Sequence, residues 1–381
     1  MAISKRRDRP KPWLARYYPP GGEERAKAFR RKVDAERWLA AQETDQQRGE
    51  WTDPRLARTT FGEWEQTYTA ARVHLAPSTR ATAESLMRSH VLPVFAARPL
   101  GSVTKTDVQA FVSELQSSGL AASTVRQCYL LVRGVFTSAV ESDLIARSPS
   151  RGIHLPKPDQ REMRFLDQVE VAALIDAMDP RYSALVAAGA YTGARFGELA
   201  ALRTSRLDLL RGSMTIVEQL TEVKGQLILR PPKTQASRRQ IALPRRLRDI
   251  LAEHLAEHPP VAGYVFSSPN GARLRRTAFR RRFFLPAVRA SVGDPLRFHD
   301  LRHTHVALLI AQGEHPKVIQ ARLGHSSIHV TLDRYGHLFE GLDEAAAARL
   351  DEALERSLPD QGRTKPTNNV VELHPRTNET P

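Results

Sequence analysis

The sequence predicts an α+β fold that is mostly helical, and three observations support this prediction. Apolar residues recur at helical spacing over most of residues 61–335. Strand-like runs are short and confined to the first 31 residues and to residues 213–243. The chain has 381 residues, which is too long for one typical compact domain. We therefore expect helical domains that carry small antiparallel sheets.

Residues 1–58 are predicted to form a small separate module. Residues 13–18 are aromatic and strand-like, the Pro-Pro-Gly-Gly sequence at 19–22 predicts a turn, and the basic residues 26–31 predict a second short strand. Residues 33–47 predict a helix because Ala35, Trp38 and Leu39 stand at helical spacing. The aromatic residues would form a minimal core, with basic residues on the opposite face.

Residues 59–148 are predicted to form a bundle of four short helices. The first opens at Phe61, the second at 77–79 with Ser78 or Thr79 as its cap, the third after a cap at 104–107 and the fourth after a cap at 122–124. Hydroxyl residues are favoured at these places because they accept hydrogen bonds from unpaired backbone amides. Residues 149–164 are rich in proline and basic residues, which predicts a linker.

Residues 165–345 are predicted to form a third, α+β domain. Helices are expected at 166–178 (capped by Asp167), 183–191, 196–203, 245–258 and 277–291, and strands at 213–219, 226–230 and 238–243. The turn at 231–237 presents a single lysine, Lys233. Residues 346–381 should contain the rest of an alanine-rich helix (342–358) and a polar, disordered tail.

The charge balance points to a polyanionic partner. The formal net charge is +15 and the pI is about 10.3, and neutralisation of phosphates by Lys and Arg dominates nucleic-acid binding. Cys128 is the only cysteine, which excludes an intramolecular disulfide and a cysteine-based zinc site. No apolar run approaches the ~20 residues that span a bilayer. The basic N-terminus precedes no hydrophobic signal core, and we expect a soluble cytoplasmic protein.

A set of polar residues with phosphate chemistry follows a fixed order along the third domain. The order is Thr-Gly-x-Arg-x-x-Glu-Leu around Arg195 and Glu198, then His299-x-x-Arg302, then Leu-Gly-His-Ser around His325, then Tyr335. An apolar run after Arg302 must be buried, which places these polar groups at the edge of a core. Together these segments resemble the tyrosine recombinase (phage integrase) family. Residues 1–58 resemble the arm-binding domain of some actinobacterial and phage integrases, and residues 59–148 the SAM-like core-binding domain.

The resemblance implies a role for each residue of this set. Tyr335 would be the nucleophile, Arg195 and Arg302 would bind phosphate oxygens, and His325 would donate to the same phosphate. Lys233 would protonate the leaving 5′ oxygen, His299 would accept the proton of the tyrosine, and Glu198 would hold an arginine or histidine in place. A phosphotyrosyl ester keeps the energy of the broken bond, and no ATP or other cofactor is therefore expected.

The resemblance also implies partners. The protein would be a site-specific recombinase that integrates or excises a phage or mobile element, acting as a homotetramer on core and arm sites of double-stranded DNA. A DNA-bending or excision factor is a further possible partner, no membrane is involved, and the cytoplasm of a bacterial host, at the nucleoid, is the expected location. The arginines expected to bind DNA are Arg16, Arg30, Arg31, Arg80, Arg126 and Arg133.

Three alternatives stay open. The chain could be a catalytically inactive, sequence-specific DNA-binding accessory protein. It could also be a chromosome-dimer resolvase or a type IB-like topoisomerase. A zinc site is the third alternative, because His299 and His303 stand four apart as metal-binding pairs often do. The absence of a glutamate between them and the presence of Arg302 argue against a metal.

Overall fold

The structure, a computed structural model, contains two compact units. It describes residues 2–339 apart from 7–8, 19–22, 48–52, 54, 158–162, 233 and 294–295, together with residues 347, 348, 350–352 and 354. The first unit is Met1–Glu162 with Glu222–Gln226, and the second is Met163–Thr221 with the residues from Leu227 onward.

The first unit begins with a three-stranded antiparallel sheet and one helix. The elements are β1 (Ala2–Lys5), β2 (Trp13–Tyr17), β3 (Arg25–Phe29) and α1 (Lys32–Gln47), with the strands paired in chain order. Tyr17 and Ala35 are buried between sheet and helix. The predicted small sheet with one helix is confirmed. The strand at the start of the chain was not assigned from the sequence, and the predicted turn at 19–22 lies outside the described residues.

A helical bundle follows. Its helices are α2 (Phe61–Ala71), α3 (Pro77–Leu86), α4 (Leu92–Phe95), α5 (Lys105–Ser117) and α6 (Ala122–Glu141). A π-helical turn over Met87–Val91 joins α3 to α4. Phenylalanines from three helices, Phe61, Phe95 and Phe136, meet in the core of the bundle. The described residues of 149–164 form no helix or strand.

The helix starts of the bundle follow the predicted capping pattern only in part: the cap at Thr104 is as predicted, and the cap at Thr60 was not assigned from the sequence. Thr60 and Thr104 each accept a hydrogen bond from the amide three residues on, and the carboxylates of Glu63 and Asp107 accept one from the cap amide. The predicted caps at 78–79 and 122–124 are wrong, because these residues are already helical. The residues before the two helices are Ala76 and Ala121, which have no side chain that could cap. Helix α6 buries a long apolar face, and such tertiary packing supplies most helix stability in proteins.

The second unit opens with α7 (Gln168–Asp176), α8 (Pro180–Thr192) and the single-turn α9 (Phe196–Leu199). Asp167 caps α7 as predicted. Helix α8 is buried along almost its whole length and ends at Gly193, which has a φ of 65°. Glycine tolerates this left-handed conformation without steric cost.

The strands that follow α9 are divided differently from the prediction. They are β4 (Leu207–Asp208), β5 (Ser213–Ile216), β6 (Gln219–Val223), β7 (Gln226–Arg230) and β8 (Arg239–Ala242). The expected single strand at 213–219 is two strands, and its first half pairs with β4 and β8 in a separate sheet. Lys224 and Gly225 both have positive φ, which suits a two-residue hairpin turn between β6 and β7.

The remaining helices complete the second unit. They are α10 (Arg245–Glu257), α11 (Arg276–Phe279), α12 (Leu285–Ser291), α13 (Asp300–Ala311), α14 (Pro316–Leu323) and α15 (Ile328–Tyr335), with a π-helical turn over Arg280–Phe284 between α11 and α12. One core is built around α8. A smaller cluster joins α13, α14 and α15 through Val306, Ile319 and Tyr335.

The C-terminal predictions lie largely outside the described residues. Of the expected helix at 342–358, residues 347, 348, 350–352 and 354 are described, and all of them are helical. The tail at 359–381 lies entirely outside. Among the described residues, no helix combines the length and apolar character that crossing a bilayer requires.

Candidate functional site

The turn between α8 and α9 holds Arg195. The residue stands at the N-cap of α9, and its backbone amide donates to Glu198 Oε2 at 2.9 Å. The guanidinium donates to Glu198 Oε1, also at 2.9 Å, while 38% of the Arg195 side chain stays exposed. Glu198 therefore fixes Arg195 at both ends and leaves part of its guanidinium accessible.

Glu198 is buried, and a second arginine compensates its charge. Arg239, at the start of β8, donates to both carboxylate oxygens, at 3.2 and 2.9 Å. Burial alone would raise the pKa of Glu198, yet the hydrogen bonds and charge of Arg239, together with the charge of Arg195, hold this pKa below its usual value. Arg239 also donates to the carbonyl oxygens of Arg322 (2.6 Å) and Ser237 (3.0 Å).

Arg302 is 2% exposed and ties two helix ends together. It donates to the carbonyl oxygen of Gly193 at 2.7 Å, at the end of α8, and to that of Leu323 at 2.6 Å, at the end of α14. Burial, assisted by Arg195, lowers the pKa of Arg302 to about 9, and the side chain remains a cation at neutral pH. The residues that follow the two helix ends, Arg195 and His325, are thereby brought to the same place.

His325 follows directly on the turn that ends α14. Gly324 has a φ of 66°, and a Cβ there would lie 2.9 Å from the carbonyl oxygen of Ala236, so only glycine fits. The imidazole Nδ1 lies 2.9 Å from the hydroxyl of Thr331. Burial and the nearby cations Arg302 and Arg195 lower the pKa of His325 to about 4, and the ring is neutral at pH 7.

The phenol of Tyr335 lies inside the small cluster of α13, α14 and α15 and is 1% exposed. Its hydroxyl lies 2.6 Å from Nδ1 of His303. Burial raises the pKa of Tyr335, while the charges of Arg302, Arg334 and Arg195 act in the opposite direction. The same three arginines, Arg302, Arg334 and Arg195, therefore act on both His325 and Tyr335.

Of the six predicted catalytic residues, the structure brings five together and leaves one undescribed. Arg195, Arg302, His325 and Tyr335 lie close enough for the charges of the two arginines to act on both His325 and Tyr335. His299 stands immediately before α13 and is exposed, with its ring centroid 5.0 Å from that of His303. One side of the ring still faces the protein, and the loss of water there, with the neighbouring His303 and Arg302, lowers the pKa of His299 to about 4. Lys233 lies outside the described residues.

The three arginines predicted to bind DNA in the N-terminal module differ in their surroundings. Arg16 lies on β2, and its guanidinium is 3.7 Å from the carboxylate of Glu24. Arg31 donates twice to Asp34, at 3.0 Å each. Arg30 is exposed in the short connection between β3 and α1. Within the part of the chain that the structure describes, Arg16 and Arg31 each contact a carboxylate and Arg30 does not.

The three predicted arginines of the helical bundle are all exposed. Arg80 is on α3 and donates to the carbonyl oxygen of Val73 at 3.1 Å. Arg126 and Arg133 are seven residues apart on α6, which places them two turns apart on the same face. This geometry suits two contacts with one backbone strand of a duplex.

Sequence reasoning missed three features of the second unit. Arg239 was not singled out, although the sequence places it on a short predicted strand, six residues before the helix that begins at Arg245. His303 was considered only as a metal ligand. The third feature is a basic stretch at 273–289 without any acidic residue, in which all seven arginines are exposed: Arg273, Arg275, Arg276, Arg280, Arg281, Arg282 and Arg289. The charge run was a visible signal.

The described residues contain no group of three or more His, Cys, Asp or Glu side chains arranged to hold a metal ion. His299 and His303 pack edge to face, and Nδ1 of His303 is directed to Tyr335. The pair is therefore engaged in contacts that do not resemble metal coordination.

Two family models match the chain. The phage integrase family model matches residues 164–341, and the model of the N-terminal SAM-like domain of phage integrases matches residues 60–116. The integrase of Mycobacterium phage D29 is 26% identical over 358 residues, which cover 88% of this chain and 90% of that protein. The ICEBs1 integrase of Bacillus subtilis strain 168 is 26% identical over 286 residues, covering 71% of this chain and 76% of that protein.

Solved structures resemble this one over most of its length. The Tn1549 transposon integrase in complex with a circular intermediate DNA gives a TM-score of 0.68 at 19% identity, covering 77% of this chain and 99% of that one. A lambda integrase tetramer bound to a Holliday junction gives 0.57 at 20% identity, with 83% and 89% covered. At these identities the likeness shows the fold alone. Because both family models match in the order of the two units, and the relatives align over most of their length, the chain belongs to the phage integrase family of tyrosine recombinases.

Proposed function

We propose that this chain is a site-specific DNA recombinase that cleaves and rejoins DNA through a covalent bond between Tyr335 and a 3′ phosphate. One observation carries the proposal. Arg302 binds the carbonyl oxygens of Gly193 and Leu323, at the two helix ends that lead to Arg195 and His325. The charges of both arginines act on the phenol of Tyr335 and on the imidazole of His325. A nucleophile, two permanent cations and a hydrogen-bonding imidazole in one place are the groups that phosphodiester cleavage requires.

The two arginines would bind the non-bridging oxygens of the scissile phosphate. A guanidinium has five N–H donors, and the carbonyls of Gly193 and Leu323 engage two nitrogens of Arg302. The remaining donors suit a phosphate, since planar guanidinium groups match its geometry. His325, neutral at pH 7, can donate one further hydrogen bond from its second ring nitrogen.

Strand exchange then needs no external energy source. Attack of the Tyr335 oxygen on phosphorus forms the phosphotyrosyl ester and breaks the bond to the 5′ oxygen, which takes a proton from a general acid. We assign that acid to Lys233, on the resemblance of its turn to the family. A free 5′ hydroxyl of the partner strand reverses the reaction and reseals the DNA.

The assembly follows from the same assignment. Residues 1–58 would bind arm sites, residues 59–148 and 165–345 would bind core sites on either side of the linker at 149–164, and residues 346–381 would complete the chain. The exposed arginines at 273–289 would add phosphate contacts. The active form would be a homotetramer on two duplexes in the bacterial cytoplasm, integrating or excising a mobile element.

A nicked suicide substrate tests the proposal. The substrate carries the core sequence recovered from the recombined junction beside the gene, with a nick placed so that the cleaved fragment diffuses away. We expect a covalent protein–DNA adduct that survives denaturing electrophoresis, and none with Tyr335→Phe. The same variant should still shift the core duplex in a native gel.

The adduct also separates this function from its alternatives. An inactive accessory protein would bind the core site and give no adduct with the unaltered chain. A topoisomerase-like enzyme would form the adduct and relax supercoiled plasmids that lack the core site, whereas a site-specific recombinase acts on plasmids that contain it.

A further inference from the structure

The hydrogen-bond partner of the nucleophile is His303. Its Nδ1 lies 2.6 Å from the Tyr335 hydroxyl, within the usual range for a strong bond to O–H. His303 is 4% exposed, on the first turn of α13 and next to Arg302 in the chain. Its ring centroid is 5.7 Å from that of the tyrosine.

His299, which the family resemblance assigns as proton acceptor, is placed differently. It precedes α13, is exposed, and touches the edge of the His303 ring at a centroid distance of 5.0 Å. Among the described residues, no hydrogen bond joins His299 to Tyr335. The imidazole of His303 therefore contacts the phenol of Tyr335 directly, whereas the imidazole of His299 contacts the ring of His303.

We propose that His303 accepts the proton of Tyr335 during strand cleavage. The proposal rests on the recombinase function proposed above and names the base of that reaction. In the Nε2–H tautomer, Nδ1 accepts the hydrogen bond from the phenol. The O–H bond breaks, its proton moves to Nδ1, and the oxygen forms the bond to phosphorus as the bond to the 5′ oxygen breaks. Religation returns the proton from the imidazolium to the phenol oxygen.

Burial and nearby charges keep the His303 ring unprotonated at pH 7. Burial lowers the pKa of His303 to about 4, with Arg334 on α15, Arg297 before α13 and Arg302 adding to the effect, and Nδ1 therefore has a free lone pair for the phenol proton. The Asp300 carboxylate, one turn earlier on α13, acts in the opposite direction and favours the imidazolium once it forms. The phenol itself is held in the protonated form by burial, so it needs a base.

The test compares the pH dependence of cleavage in His303→Asn with that of the unaltered chain. Asparagine places an amide near the position of Nδ1 and keeps a hydrogen bond to the phenol, but it cannot accept a proton. Adduct formation is measured in single-turnover experiments with saturating enzyme on the suicide substrate. We expect a 10²- to 10⁴-fold slower rate at pH 7. We also expect the rate of the variant to rise about tenfold per pH unit from 7 to 9, where the unaltered chain is nearly flat.

Three controls separate a proton acceptor from a structural contact. A 5′-bridging phosphorothiolate substrate has a leaving group that needs no acid, and it should leave the defect of His303→Asn in place. His303→Ala opens a cavity beside the phenol, and added imidazole should restore part of its rate. His299→Gln should keep the flat pH profile of the unaltered chain. Thermal unfolding and core-site binding confirm that each variant is folded.

Each outcome decides the matter. If His303→Asn cleaves at the rate of the unaltered chain, or slowly with a flat pH profile and no imidazole rescue of His303→Ala, the assignment is wrong. A hydroxide-dependent rate in His299→Gln instead would give the role to His299. If the unaltered chain forms no adduct, the proposed recombinase function is wrong, and so is the assignment of His303 as its proton acceptor.

Discussion

At the scale of single residues, three arginines of the site differ by burial. Arg195 is partly exposed, whereas Arg239 and Arg302 are almost fully buried. A buried cation is stable only when its charge is paired and its donors are bonded. Glu198 supplies the charge for Arg239, and backbone carbonyls supply acceptors for Arg302. We infer that Arg239 acts through Glu198 to position Arg195.

Arg239→Met should destabilise the second unit by about 3–5 kcal/mol, because Glu198 would be left as a buried, half-paired charge. The free energy of unfolding from urea titration checks this value. The exposed neighbour Arg238 offers a matched control, and Arg238→Met should change stability by no more than about 0.5 kcal/mol. Equal effects of the two changes would contradict the role of the buried pair.

Buried histidines predict a loss of stability in acid. Burial, assisted by Arg322, lowers the pKa of His305 to about 3, against about 6.5 when unfolded. Between these values the unfolded chain binds the extra proton, and stability that is present above pH 6.5 is lost as the pH falls. His305 alone should cost about 2 kcal/mol between pH 7 and pH 5.

Hydrogen exchange of the α13 amides at both pH values measures this loss. His305→Asn should reduce the loss of stability between pH 7 and pH 5 by about 2 kcal/mol. His329→Asn, at an exposed position, should leave that loss unchanged. An unaltered slope in His305→Asn would show that other groups carry the acid sensitivity.

At the scale of elements, two glycine-ended helices place the site. Gly193 ends α8 and Gly324 ends α14, both with left-handed backbone, and the next functional side chains are Arg195 and His325. The ends were visible in the sequence as glycines after apolar runs. The sequence did not show that Arg302 binds the carbonyl oxygens of Gly193 and Leu323. Helix α13, which carries Arg302, lies over 100 residues from α8 in the chain, and local patterns do not record such contacts.

Gly193→Ala should damage the site at this junction. A Cβ would lie 2.8 Å from Cδ2 of His305 and 2.9 Å from Cδ2 of Leu323, in addition to the strain of a φ of 65°. We expect a loss of about 2–4 kcal/mol from overpacking and strain together, and a slower adduct rate because Arg195 moves. Gly263 has a φ of 74° and open space around it, and Gly263→Ala should cost only about 1 kcal/mol and leave cleavage intact. Equal losses of stability in Gly193→Ala and Gly263→Ala would show that close packing around Gly193 is not the cause.

At the scale of the whole molecule, the net charge of +15 sets the mode of DNA binding. Exposed arginines occur in both compact units, on α6 of the first and at 273–289 of the second. Each phosphate that an arginine neutralises releases counterions from the duplex. Binding by many such contacts is strong, weakly dependent on sequence and sensitive to salt.

Affinity for a core-site duplex should therefore fall by about 10³-fold or more between 50 and 200 mM salt. Fluorescence anisotropy with a labelled duplex measures the slope of log affinity against log salt. Replacing Arg280, Arg281 and Arg282 by glutamine should reduce the slope by about 2–3. A slope that stays the same would show that these three arginines do not contact phosphates.

The sequence by itself determined the family, the helix starts capped by Thr104 and Asp167, and the order of the residues now found around Tyr335. These features depend on local spacing, which a one-dimensional pattern records. Only the tertiary structure decided that β5 pairs with β8, that Arg239 compensates Glu198, and that His303 bonds the nucleophile. Each is a contact between residues 23 or more positions apart, and burial, which makes such polar contacts obligatory, exists only after the chain has folded.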